Sequence, residues 1–305
     1  MLISTHAMFA SLPAPFIPAG WQQVVNTTFG TTPINSIAYD GNDRYVAVGN
    51  EGKIATSDDS GVTWEVQEGY FLESNIYSVF YGGGLWVAAG STGKLATSPD
   101  GVAWTQRASS FGASVILSLT YSVSASLWVA AGGSGKLATS PDGITWTQRA
   151  SSFGTTFINT LYSAPGLVIA GGYEGKLATS TNGTSWTQRS SSFILSSIFS
   201  ITSNPSVTQF VAVGDDGKVA NSLNGTTWTQ AFPGTSFGGS SIRAVASTSD
   251  SYVAAGFTGK LATSIDTTSW LQRNSTFGLD NINGLYARDG VAIAVGDQGK
   301  IAYSI

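Results

Sequence analysis

The sequence predicts an all-β protein, a seven-bladed β-propeller, and three observations support this prediction. All seven lysines of the 305-residue chain follow a glycine, and the Gly-Lys pairs recur every 40 to 42 residues. Each interval contains four short β-rich runs separated by Gly, Asn and Asp turns, and helical periodicity is absent. A fixed period of this length indicates one supersecondary unit copied in tandem, and four strands in each of seven units make a propeller.

The four runs of each repeat are assigned to strands in chain order. The first begins with isoleucine, as in INSIAY from Ile34, and the second is apolar, as in LWVAAG from Leu85. A tight turn ending in Gly-Lys leads to the third run, such as KLATS from Lys94. A polar turn then leads to the fourth, such as TWTQR from Thr145. Each repeat therefore predicts one antiparallel four-stranded blade.

The two ends of the chain are predicted to complete one blade together. A tryptophan follows the polar turn in six repeats, but the seventh, GKIAYSI, stops at Ile305 without one. The missing run is GWQQVV around Trp21. We expect this first strand to become the outer strand of the last blade, because closure leaves no unpaired ring end. The predicted domains are an extended N-terminal arm at 1–20 and a propeller at 21–305.

The N-terminal arm has apolar stretches interrupted by three prolines and lacks a basic start, so a cleaved signal peptide is not expected. Proline biases the preceding residue toward extended backbone. The arm is either a frayed terminus or a partner-binding segment. In the second case, Phe9, Phe16 and Ile17 dock on a partner or a neighbouring subunit. No run is long enough to span a bilayer, so membrane insertion is not expected.

Composition excludes several classes of chemistry. The net charge of −4 argues against general nucleic-acid binding, which needs a strongly basic face. The absence of cysteine excludes disulfides and thiolate metal sites. His6 is the only histidine and precedes the repeats, which argues against a Ser-His-Asp triad or a histidine metal site. We expect no metal and no cofactor.

The polar turns carry a family resemblance. SDDSGVTW from Ser57 resembles the Asp-box, S-x-D-x-G-x-T-W, of sialidase-type and related propellers. The other copies are one residue shorter; Asn182 and Asn224 replace the aspartate, and Thr267 replaces the glycine. The chemistry is local, because Asp or Asn caps its own turn and Gly permits positive φ. The resemblance implies a propeller, but the motif recurs in enzymes, lectin-like domains, assembly factors and phage virion proteins.

A second resemblance concerns function. The repeats from Gly93 and Gly135 are nearly identical. Their WTQR and SSFG motifs resemble sequences of bacteriophage tail or surface proteins. This resemblance implies a non-catalytic virion protein, in a tail or tail fibre, that binds a host-surface glycan or another virion protein. The N-terminal arm would attach it to that protein.

Two alternatives stay open: a glycoside-acting enzyme of sialidase-like ancestry, and an intracellular or periplasmic assembly scaffold. A sialidase needs an arginine cluster near the axis, but only Arg243 lies on a predicted inner strand. Glycoside hydrolysis in general needs two carboxylates facing one cleft. Glu174 and Asp215, from adjacent blades, are the candidate pair.

The lysines are predicted to lie on one face of the ring, which carries twelve positive against eight negative residues; the opposite face carries two against nine. They either cover apolar surface and protect strand edges or dock a glycan or another acidic surface. The lysines are Lys53, Lys94, Lys136, Lys176, Lys218, Lys260 and Lys300.

Specificity is expected where the repeats differ most, because function concentrates in loops on a rigid scaffold. Four aromatic residues, expected to be exposed, either stack sugars, anchor a protein or pack between blades: Tyr70, Phe71, Tyr173 and Phe257. The second position of each inner strand also varies: Asn35, Tyr77, Leu117, Asn159, Phe199, Arg243 and Asn283.

Overall fold

A computed structural model describes residues 16–68, 71–231 and 236–305. Within these ranges the chain forms seven four-stranded antiparallel sheets. Six of them add their strands in sequential order from the inside outward, and the seventh takes its outer strand from the other end of the described chain. The prediction of a seven-bladed propeller is confirmed. None of the short helical turns in this part of the chain has the length or apolar character of a membrane-spanning helix.

The strands of the blades, numbered one to seven along the chain, follow the predicted repeat. The inner strands are Ile34–Tyr39, Ile76–Gly82, Ile116–Ser122, Ile158–Ala164, Ile198–Ser203, Ile242–Ser247 and Ile282–Arg288. The second strands are Tyr45–Gly49, Leu85–Gly90, Leu127–Gly132, Leu167–Gly172, Phe210–Gly214, Tyr252–Gly256 and Val291–Gly296.

The outer half of each blade is shorter. The third strands are Ile54–Ser57, Leu95–Ser98, Leu137–Ser140, Leu177–Ser180, Val219–Ser222, Leu261–Ser264 and Ile301–Ser304. The outer strands are Glu65–Gln67, Thr105–Arg107, Thr147–Arg149, Thr187–Arg189, Thr229–Gln230, Leu271–Arg273 and, for blade seven, Gln22–Gln23. One-turn 3-10 helices join the second and third strands: Asn50–Gly52, Ser91–Gly93, Gly133–Gly135, Tyr173–Gly175, Asp215–Gly217, Phe257–Gly259 and Asp297–Gly299.

Blade seven combines both ends of the described chain, as predicted. Gln22 pairs with Tyr303 and Gln23 with Ala302 in antiparallel register. The ring is therefore closed by backbone hydrogen bonds between its first and last strands, and this blade presents no unpaired third strand.

The core lies between neighbouring blades. The isoleucine that opens each inner strand is fully buried, and it packs with alanines and valines of the second strands. Small residues at these positions let adjacent sheets approach closely, while one large side chain per blade fills the remaining space. That side chain is a buried phenylalanine from the loop before each inner strand: Phe29, Phe71, Phe111, Phe153, Phe193, Phe237 and Phe277.

The polar turns between third and outer strands are held by their own side chains. Oδ1 of Asp100 accepts hydrogen bonds from the amides of Val102 and Ala103, both at 2.9 Å. Nε1 of Trp104 donates to the carbonyl of Gly101 at 3.0 Å. The same pattern holds in the other five such turns, including the one in which Thr267, with φ of 64°, replaces glycine. The capping role expected of Asp and Asn is confirmed.

Blade seven lacks this turn, because its third and outer strands come from opposite ends of the described chain. The Nε1 donor of Trp21 is buried and has no hydrogen-bond partner among the described residues. Phe16 packs against the core cluster that contains Trp21, and its carbonyl accepts a hydrogen bond from Oγ of Ser251 at 3.1 Å. Phe16 therefore packs on this chain's own propeller. Ile17 is half-buried, and Phe9 lies outside the described residues.

We predict that Asp142→Asn flattens the acid dependence of stability. Hydrogen bonds from the amides of Thr145 and Ile144 lower the pKa of Asp142 to about 2. Its stabilising contribution is present above the unfolded pKa of 3.8 and is lost as pH falls toward 2. Asparagine keeps the Oδ1 acceptor, as Asn182 does in blade four.

The measurement is chemical denaturation between pH 5 and pH 2, a window of roughly three units around these pKa values. Asp43→Asn removes an exposed carboxylate that accepts no hydrogen bond among the described residues, and so controls for net charge. Equal slopes for wild type and Asp142→Asn would show that the cap does not act through the carboxylate's pKa.

Candidate functional site

Each of the seven lysines holds the loop that enters its own blade. Its ammonium group donates a hydrogen bond to the carbonyl of that loop's buried phenylalanine. The pairs are Lys53–Phe29 (2.9 Å), Lys94–Phe71 (3.2 Å), Lys136–Phe111 (2.7 Å), Lys176–Phe153 (3.2 Å), Lys218–Phe193 (3.2 Å), Lys260–Phe237 (2.7 Å) and Lys300–Phe277 (3.0 Å). A charge-assisted bond of this kind is stronger than a neutral one.

The glycine before each lysine contacts the loop that leaves the same blade. Each of these glycines has positive φ, and a Cβ there would come within 2.0–2.4 Å of a backbone oxygen of that loop. For example, the Cβ of residue 135 would lie 2.1 Å from the carbonyl oxygen of Gly154. No side chain fits at such a distance. We call each Gly-Lys pair with its two loop contacts a Gly-Lys staple.

The staples explain why lysine recurs in every blade. Several lysines make a second contact inside the blade, as Lys218 does with Oγ of Ser196 at 2.7 Å and Lys300 with Asp280 at 2.7 Å. None of the seven lines the central channel. Each lysine therefore has a structural partner within its own blade.

The variable positions of the inner strands converge on one cavity. All seven second positions line a cavity of about 380 Å³ at the lysine-side mouth of the central channel. They are Asn35, Tyr77, Leu117, Asn159, Phe199, Arg243 and Asn283. Tyr173, from the 3-10 turn of blade four, also lines it. The structure thus brings Tyr77, Tyr173 and Arg243 together at the axis.

Three residues of this ring join neighbouring blades. The amides of Asn35, Asn159 and Asn283 donate to the carbonyls of the next blade's inner-strand isoleucine, at 2.8–3.1 Å. Their side chains are therefore engaged in holding the ring closed. The remaining positions lie in blades two, three, five and six, and Arg243 carries the only charge among them.

Arg243 is an exposed cation held by aromatic rings. Its guanidinium carbon lies 4.5 Å from the ring centre of Phe257 and 5.3 Å from that of Phe199. Within the described residues it forms no ion pair and its side chain donates no hydrogen bond. Desolvation lowers the pKa of Arg243, opposed by the charges of Asp297 and Asp215. The group stays protonated, with its donors available to a ligand.

The two nearby carboxylates are already engaged by the scaffold. Asp215 accepts a hydrogen bond from Oγ of Ser241 at 2.9 Å, and Asp297 accepts from the amides of Asn281 and Asn283 at 2.8 and 2.9 Å. They are held in the 3-10 turns of blades five and seven. The mouth therefore presents one free guanidinium between two fixed acids.

The aromatic candidates have different surroundings. Phe71 was expected to be exposed, but it is only 1% exposed, because it is the core phenylalanine of blade two. Its alignment with the phenylalanine of SSFG in other repeats is the sequence signal that identifies it. Tyr173 is 44% exposed and stacks on Phe157 with ring centres 5.4 Å apart. Tyr70 lies outside the described residues.

Glu174 and Asp215, the candidate hydrolytic pair, both contact neighbouring side chains of the scaffold. Glu174 lies 3.5 Å from Lys176 of the same turn, and Asp215 is engaged as described above. Within the described residues, no group of three or more His, Asp or Glu side chains converges to hold a metal ion.

Comparisons with known proteins identify the fold. No protein-family model matches the chain, and no curated protein matches it significantly. Among solved structures, the chain is similar to YCF48 bound to D1 peptide, with a TM-score of 0.74 and 17% identity over 97% of this chain and 99% of that chain.

Two further structures give the same result. YCF48 from Cyanidioschyzon merolae has a TM-score of 0.74 and 19% identity, over 94% of this chain and 98% of that chain. A catalytically inactive virginiamycin B lyase from Staphylococcus aureus, with quinupristin, has a TM-score of 0.83 and 10% identity over 94% of this chain and 99% of that chain. At these identities the similarity shows a shared seven-bladed architecture and leaves function open.

We predict that Lys136→Met destabilises the protein by about 1.5–3 kcal/mol, because a buried carbonyl loses its charged donor. Methionine keeps the length and apolar stem of the side chain. Gln148→Met is the control, since Gln148 is exposed on the neighbouring outer strand. Denaturant unfolding gives both values; equal stability of the two variants would contradict the staple.

Gly135→Ala is predicted to destabilise blade three far more than Gly154→Ala. Both glycines have positive φ, so alanine is strained at either, by roughly 1–2 kcal/mol. Only at 135 would the new Cβ meet a backbone oxygen, while at 154 it meets nothing within 4 Å. Thermal unfolding of the two variants separates loop contact from backbone strain, and similar melting temperatures would rule out the contact.

Proposed function

We propose that this chain is a non-catalytic recognition propeller that binds a segment of another protein at the channel mouth around Arg243. The observation that carries the proposal is the unpaired guanidinium held between Phe199 and Phe257. It is the one cation in a ring of seven positions, so it breaks the symmetry that the lysines keep.

The proposed ligand is a peptide with a carboxylate beside apolar side chains. A guanidinium recognises a carboxylate through two parallel hydrogen bonds. Leu117, Phe199 and Tyr77 on the same ring supply apolar contact area around it. The cavity of about 380 Å³ has room for one or two side chains rather than a folded domain.

A solved relative in fold supports the peptide class. YCF48, which shares this architecture, has been solved with a D1 peptide bound. Peptide recognition by a propeller of this shape is therefore physically possible, and the Arg243 mouth is where this chain offers an unpaired charge for it.

Enzyme activity is the second class of function for this fold, as virginiamycin B lyase shows. The solved lyase is a catalytically inactive histidine-to-alanine variant. This chain's only histidine, His6, precedes the propeller in sequence and lies outside the described residues. Glu174 and Asp215 are engaged by scaffold contacts. These observations favour binding over turnover.

The finer assignments from sequence stay predictions. Neither YCF48 nor virginiamycin B lyase is a phage protein, and no contact described above favours a virion role, a host-surface glycan or the Asp-box family over an assembly scaffold. We retain the boundary between arm and propeller at residues 20 and 21 as a proposal, with Phe16 resting on the propeller.

We predict that Arg243→Gln weakens binding of an acidic peptide by roughly tenfold or more, since a hydrogen-bonded charge pair contributes about 1.5–3 kcal/mol. The probe is a labelled hexapeptide of alternating leucine and aspartate, titrated by fluorescence anisotropy. Arg243→Lys is expected to restore part of the affinity, because it keeps the charge but not the planar fork.

The matched control is Arg149→Gln, which removes one positive charge from the same face at the rim of blade three. Binding that falls equally in both variants would indicate bulk electrostatics. No saturable binding to the wild type would overturn the proposed site.

A further inference from the structure

A second cavity opens at the opposite mouth of the channel. Its volume is about 360 Å³, and a ring of aliphatic residues that includes Ile37, Val245 and Leu285 separates it from the first. Its walls differ from those of the Arg243 mouth. Five aromatic side chains line it: Tyr39, Phe80, Tyr81, Tyr162 and Tyr286.

One ring of the aromatic wall already contacts a cation of this chain. Burial raises the pKa of Tyr286, so its phenol stays protonated near neutral pH. The guanidinium carbon of Arg288 lies 5.0 Å from the ring centre of Tyr39. Within the chain itself, therefore, a cation is bound over a ring of this mouth, as the quadrupole of an aromatic side chain favours.

Acidic residues lie on one side of this mouth only, in three adjacent blades. The turns between inner and second strands of blades six, seven and one carry Asp250, Asp289, Asp40 and Asp43. The corresponding turns of blades two to five carry no charged residue. This asymmetry does not follow from the repeat, unlike the aspartates that cap the polar turns.

The face as a whole is strongly negative. In the described chain its turns and strand ends carry nine aspartates and two arginines. Both arginines are occupied: Arg44 pairs with Asp58, with contacts of 2.6 and 2.8 Å, and Nε of Arg288 donates to the hydroxyl of Tyr45 at 3.0 Å. Seven negative charges in excess remain to attract a positively charged partner.

We propose that this mouth binds a basic peptide segment, with one Arg or Lys side chain inserted into the aromatic cavity and its flanking cations facing the aspartates of blades six, seven and one. The site is independent of the Arg243 mouth and takes a ligand of opposite charge. A propeller with both sites joins an acidic segment on one face to a basic segment on the other.

The experiment is a titration of the full chain with a labelled hexa-arginine peptide at low and physiological salt. We expect saturable binding that weakens about threefold to tenfold in the double variant Asp250→Asn/Asp289→Asn and by a similar factor in Phe80→Leu, the range given by one lost cation–π or exposed charge contact. Thermal unfolding of each variant verifies that it is folded.

Two controls decide between this site and general attraction. Asp142→Asn removes one charge from the same face in blade three, at a turn position where blades four and five already carry asparagine. Arg243→Gln alters only the opposite mouth. Both are expected to bind hexa-arginine like the wild type. Equal losses per charge in Asp142→Asn and the double variant, unchanged binding in Phe80→Leu, or absence of saturable binding would overturn the proposal.

Discussion

The Gly-Lys staple is the contact on which the rest of the structure depends. In each blade the glycine admits the backbone of the leaving loop at a distance that no side chain allows, and the lysine bonds the buried phenylalanine carbonyl of the entering loop. Propellers have short, protected strand edges, and the loops at each face add polar contacts to the apolar packing between blades. Seven staples do this at one face, and the polar turns rigidify the other.

This arrangement separates scaffold from function. Features that recur between blades each have a local partner: the lysine and the loop phenylalanine of every blade, and the Asp or Asn that caps each of the six polar turns. The features that differ between blades lie at the two channel mouths. They are the second positions of the inner strands at one mouth and the aspartates beside the aromatic cavity at the other. Arg243 stands alone in its ring, and the aspartates beside the aromatic cavity occur in three adjacent blades only. A symmetric ring thus presents two asymmetric mouths, one with a free guanidinium and the other with an aromatic wall and a row of aspartates.

Periodicity predicted the blades, their strand order and the closure by Trp21, because these follow from spacing alone. It also located the variable ring at the axis. The role of the lysines was not predictable, since their acceptors lie 23 to 25 residues away in the chain. The contact between Phe257 and Arg243 joins a turn to an inner strand, so it could not be predicted from the spacing of the repeats. The exposure expected for Phe71 was wrong, because a tyrosine precedes it, whereas serine or threonine precedes the corresponding phenylalanine in the other six loops.

We propose that ligands bind where the repeats differ and not at the repeated lysines. A crystal structure of the protein with an acidic peptide tests this most directly. We expect peptide density on the axis, with a carboxylate against the guanidinium of Arg243. Density between blades, with carboxylates on Lys136 and its counterparts and the phenylalanine carbonyls released, would contradict it.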